Sequence, residues 1–104
     1  MPYQVIISDQ AGADIDEIVG YIRDVFRAPM TASKKYDLIM EVLLDILPEH
    51  PFWQHPSWGN YHHGQQVYVY NADHYRIFHV PDRNARQTRV LRVLHYLQNS
   101  QRHL

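Results

Sequence analysis

A chain of 104 residues with 45% hydrophobic content can bury one core without help, so a single domain over residues 1–104 is expected. It contains no cysteine, which excludes disulfides, thiolate metal sites and a cysteine nucleophile and suits a reducing compartment; a cytoplasmic protein is the expectation. The formal net charge of −1 conceals a division, with nine acids against four bases in residues 1–50 and six arginines against two aspartates in residues 51–104. The arginine-rich half suits planar contact with an anionic partner, or else balances an acidic helical layer. Met1 to Ser8 lacks a basic leader region, and no apolar run approaches the roughly 18–20 residues of a membrane span, so neither secretion nor a membrane is expected.

Tyr3 to Ile7 are aromatic and β-branched and predict a first strand over residues 3–7, followed by Ser8 and Asp9, either of which can cap a helix. Ala11, Ile15, Ile18, Val19, Ile22 and Phe26 then line one face of a 3.6-residue period, with Asp14, Asp16, Glu17, Arg23 and Asp24 pointing away, which predicts a helix over residues 10–26. Pro29 breaks the chain and Thr31 offers a second cap. Ala32, Tyr36, Ile39, Met40, Leu43 and Leu47 repeat the spacing up to Pro48, and Leu38, Val42 and Ile46 widen the stripe. The short connection predicts an antiparallel helical hairpin.

Residues 49–64 combine two prolines, two tryptophans and two glycines without either periodicity and read as a long ordered loop, pinned by Phe52, Trp53 and Trp58. Three strand-like runs follow, at residues 66–70, 74–80 and 88–96, separated by the turn signals Asn71-Ala72-Asp73 and Pro81-Asp82-Arg83-Asn84. The expected fold is α+β in the order β-α-α-β-β-β, with the hairpin on one face of a small, mainly antiparallel sheet and the other face open.

Alternation along strands separates Val67 and Val69 from Gln66, Tyr68 and Tyr70, and Tyr75, Ile77 and His79 from Arg76, Phe78 and Val80. With the valines and Ile77 toward the helices, Tyr68, Tyr70, Arg76 and Phe78 share the open face. In the last strand both parities are mixed; if Leu91 and Val93 face the core, Arg92 joins Arg76. Guanidinium groups among aromatic rings suit single-stranded RNA, where arginine holds phosphate and rings stack on bases. Cross-strand packing, or a patch covered by a partner protein, would use the same residues. His50, His55, His62, His63, His74 and His79 match no metal-ligand spacing, so no metal and no other cofactor is expected.

The segment Tyr3 to Ser8, followed by Ala11 and the helix Asp14-Ile15-Asp16-Glu17-Ile18-Val19-Gly20-Tyr21-Ile22, resembles the opening of the RelE/ParE superfamily of bacterial type II toxins. Tyr75-Arg76-Ile77-Phe78-His79-Val80 and Val90-Leu91-Arg92-Val93-Leu94-His95 resemble its last two strands. The resemblance implies a toxin held inactive by a cognate antitoxin. It implies one of two targets: mRNA on the ribosome, cut by a metal-free endoribonuclease (an mRNA interferase), or DNA gyrase, inhibited without nuclease activity. For RNA cleavage the resemblance nominates Arg76 to hold phosphate and His95 and Tyr96 for proton transfer or stacking, with Tyr68, Tyr70, Phe78 and Arg92 binding RNA. The family's nucleases usually carry a basic second strand, whereas residues 50–75 here contain no lysine or arginine.

Overall fold

In the computed structural model, which describes residues 2–98, the first apolar run forms β1 (Gln4–Ile7). Ser8 turns the chain into α1 (Asp9–Asp24): its extended backbone starts the helix while its hydroxyl accepts from the Ala11 N–H at 3.1 Å. Ala11 and Ile15 are buried, with Ile18 and Val19 packed against the same core. Two residues depart from the predicted stripe. Phe26 lies beyond the helix and is 65% exposed, whereas Asp14, expected to face solvent, is buried.

The second helix starts earlier than Thr31 suggests. Ala28 precedes it, and Pro29 occupies its first turn, where a missing N–H costs nothing. α2 (Pro29–Glu41) runs into a π-helical turn (Val42–Ile46) and then α3 (Leu47–Glu49). The wider turn buries Val42 and Leu43 together, and Leu47 remains in the core. Tyr36, predicted on the buried stripe, is exposed.

Residues 55–62, expected to be loop, form a strand, β2 (His55–His62), so the sheet has five strands rather than four. Pro56 and Gly59 hide it from a propensity reading, and its pairing with the next strand is irregular between Pro56 and Tyr61. His63 and Gly64, both with positive φ, close the two-residue turn into β3 (Gln65–Ala72). β4 (Tyr75–Asp82) and β5 (Gln87–His95) complete the order β1-β5-β4-β3-β2, antiparallel except for the parallel β1–β5 pair. No helix among the described residues is long and apolar enough to cross a membrane.

The sheet buries apolar residues on both faces. Toward the helices lie Ala72, Tyr75, Ile77, Val90 and Val93, packed on Ile15, Ile39, Leu43 and Leu47. On the reverse face Val67, Val69, Phe78, Val80 and Leu94 form a second cluster. The assignment of Val67 and Val69 to the helical side is therefore inverted. Register explains why: Tyr68 stands opposite His79 and Tyr70 opposite Ile77, so the tyrosines share the helix-facing side. The segment after α3 is pinned by Phe52, whose ring meets Tyr3 and Tyr68 edge-on at 6.2 and 5.3 Å. Trp53 instead stacks on His50, and Trp58 is 77% exposed.

Candidate functional site

Arg76 stands on the reverse face, opposite Leu94 on β5, and its guanidinium donates to the Tyr96 carbonyl at 2.5 Å. β5 ends at His95, so strict alternation no longer keeps His95 and Tyr96 apart. Their rings lie 4.7 Å apart. The Tyr96 N–H donates to the His74 carbonyl at 2.8 Å, which brings the His74 ring within 5.5 Å of Tyr96 and 6.2 Å of His95. Arg76, from the reverse face, and His95, beside Tyr75 on the helix-facing side, therefore meet Tyr96 at one end of the sheet, joined by His74. The sequence signals for His74 are its parity with Arg76 along the strand and its place directly after the turn at Asp73.

The strand end is fixed by its own hydrogen bonds. The His95 N–H donates to the Gln98 side-chain oxygen at 2.7 Å, and the Leu97 N–H donates to His95 Nδ1 at 3.2 Å. A nitrogen that accepts carries no proton, so this geometry places the proton of a neutral His95 on Nε2. Beside His74, Asp73 pairs with Lys35, and that bond, with His74 nearby, holds its carboxyl below the ordinary carboxylate range.

The remaining predicted residues do not join this group. Tyr68 and Tyr70 lie on the helix-facing side, and Phe78, though on the reverse face, is 2% exposed and offers no ring to a base. Arg92 stands opposite Phe78, but its side chain turns to Asp14 on α1, with two bonds of 2.7 and 2.8 Å. The Asp14 carboxylate also accepts from the Val93 backbone N–H at 2.9 Å. The cause lies in the lengths of the strands. β1 pairs with β5 only as far as Val90, and past that point the exposed edge of β5 needs another partner, which α1 supplies. Glu17 adds to the field that holds Arg92 charged, after the direct bond to Asp14.

Two further arginines of the second half are also engaged. Arg83 sits over the Phe52 ring at 4.1 Å and Arg86 over Tyr3 at 5.2 Å. Among the described residues no three histidines, aspartates or glutamates gather closely enough to hold a metal ion. His79 is buried, with Nδ1 at 2.7 Å from the Thr88 hydroxyl and no partner for Nε2 among the described residues. Burial pushes its pKa down to about 4.

Comparison with known proteins agrees with the architecture. A family model described as "ParE toxin of type II toxin-antitoxin system, parDE" matches residues 5–99. A chain from the crystal structure of the toxin–antitoxin complex RelBE2 of Mycobacterium tuberculosis superposes with a TM-score of 0.62 at 17% identity, over 91% of this chain and 99% of that one. That likeness is one of fold. No curated protein matches the chain at a significant level.

Proposed function

The chain belongs to the family of ParE toxins of type II toxin–antitoxin systems, and from that premise we propose that it acts by binding a protein target, with DNA gyrase the target implied by the family, rather than by cutting RNA. The observation that carries this reading is the Asp14–Arg92 pair. A guanidinium gripped at two points by a carboxylate is withdrawn from phosphate, and it leaves Arg76 as the single described arginine beside His95 and Tyr96. Of the rings nominated for RNA binding, Tyr68 and Tyr70 are turned to the helical side and Phe78 is buried. An antitoxin that neutralises the toxin is the partner the family carries, in keeping with the complex from which the structural neighbour comes.

A second reading rests on one specific arrangement, the meeting of Arg76, His74, His95 and Tyr96 where β5 ends. Attack of a ribose 2′-hydroxyl on its neighbouring phosphate needs a base, an acid and a cation. Exposed His74 would serve as base, His95 in its protonated imidazolium form as acid, and Arg76 as the phosphate contact.

One paired assay separates the two. The purified toxin is added to a gyrase supercoiling reaction and to a translation extract, where new mRNA 5′ ends are mapped. Lost supercoiling with intact mRNA is the expected result. New 5′ ends that vanish in Arg76→Ala would replace this reading with the nuclease one.

A further inference from the structure

Across the reverse face, at the end of the sheet away from Arg76, the β2–β3 turn and the first half of β5 border an open cavity of about 660 Å³. His62, His63 and Gln65 form one wall, and Gln87 and Arg89 the other, with the start of α1 closing the side. Its size falls in the range of small-ligand sites, roughly 300–1,000 Å³. Its lining is rich in donors.

Charge identifies what such a cavity would accept. Arg76, Arg83, Arg86 and Arg92 are all engaged with carbonyl, ring or carboxylate partners. Arg89 makes no hydrogen bond or ion pair with any described residue. It projects from β5 opposite Val80, toward the two histidines, whose rings meet edge to face at 4.3 Å. Partial burial, with His63 and Arg89 close by as smaller contributions, holds His62 below the ordinary imidazole range. Two acids share the rim. Asp82 already accepts from the Asn84 and Ala85 N–H groups at 3.0 and 3.2 Å, and Asp9 sits in the first turn of α1, where the helix dipole offsets its charge.

We infer that this cavity is a phosphate-binding site, in which Arg89 grips the anion from β5 while His62, His63 and Gln65 donate from the opposite wall. An arginine fork matches two phosphate oxygens at once, and a bound dianion would favour the protonated imidazoles it faces. The site goes beyond the toxin's action on a protein target and does not depend on it. The phosphate has two possible carriers, a free nucleotide and the backbone of a nucleic acid.

The test uses the full chain and NMR signals of the His62 and His63 rings during titration with inorganic pyrophosphate, a nucleoside triphosphate and a short single-stranded oligonucleotide. Pyrophosphate is expected to move both histidine signals, and Arg89→Gln to weaken binding about tenfold or more. Lys34→Gln, an equal change of charge on α2, is expected to leave binding unaltered. Affinity that grows with oligonucleotide length identifies the nucleic-acid backbone, and affinity confined to the triphosphate identifies a nucleotide. Histidine signals that stay still at millimolar pyrophosphate, or equal binding by Arg89→Gln and the parent protein, would overturn the inference. A second variant, His63→Gln, carries the same expectation should Arg89→Gln fold poorly.

Discussion

Acidification should weaken this fold through one side chain, His79. Its ring sits in the sheet with Thr88 as its hydrogen-bonding neighbour, and protonation would place a charge where no water reaches it. Above about pH 6.5 the imidazole is neutral in both folded and unfolded chains and contributes no pH dependence. As pH falls below that value the unfolded chain takes up a proton that the folded one refuses, so stability declines; the decline stops near pH 4, where the folded ring also titrates. The gap between 6.5 and about 4, at about 1.4 kcal/mol per pH unit, comes to about 3 kcal/mol. Urea unfolding between about pH 7.5 and 4.5 reads it directly, with His79→Leu/Thr88→Val as the reference, because removing both polar partners leaves neither one stranded. The parent protein should lose about 2–3 kcal/mol more than this variant across the range. Parallel losses in the two proteins would refute the argument, since every other titrating group is common to both.

Other perturbations follow from the same structure. Asp14→Ala removes the acceptor for both Arg92 and the Val93 N–H and should cost about 3 kcal/mol or more in urea unfolding; a cost below about 1 kcal/mol would mean that this contact does not hold α1 to β5. Adding Arg92→Met to Asp14→Ala should restore part of the loss, because the stranded guanidinium is then gone. Ser8→Ala deletes the cap of α1 together with the bond its hydroxyl donates to the Leu91 carbonyl, and should lower stability by about 1–2 kcal/mol in thermal unfolding, while Ser8→Thr keeps most of it.

The helices and four of the five strands were legible, the helices from one clean period each and the strands from β-branched and aromatic runs bounded by turn signals. α1 and α2 follow the 3.6-residue spacing of Ile15, Ile18, Ile39 and Leu43, and β4 alternates around Ile77. β2 was not legible. Pro56, Gly59 and a run of polar and aromatic residues on an edge strand give no alternation, and the irregularity between Pro56 and Tyr61 breaks what remains. The faces of β3 were misread for a different reason. Both sides of this sheet bury apolar groups, so valine against tyrosine does not say which side meets the helices, and only the pairing of Tyr68 with His79 decides it. The mixed parity of β5 has a physical source as well. The pairing of β4 with β5 shifts between Phe78 and His79, so Val90 and Val93, three residues apart, both reach the helical core, and Leu91 does not. Of the candidate site, Arg76, His95 and Tyr96 were nominated by the resemblance of the last strands. Asp14 was not, because its role depends on β1 ending before β5 does.

The closure made by Asp14 also leaves the two margins of the sheet unequal. Along β5, past Val90, the outermost free donor is already taken by a helix, so an incoming extended chain finds no ladder there to join. The opposite margin is β2, whose proline and irregular pairing bend it out of register with any straight strand. Copies of this protein therefore lack a flat template for stacking edge to edge at either margin.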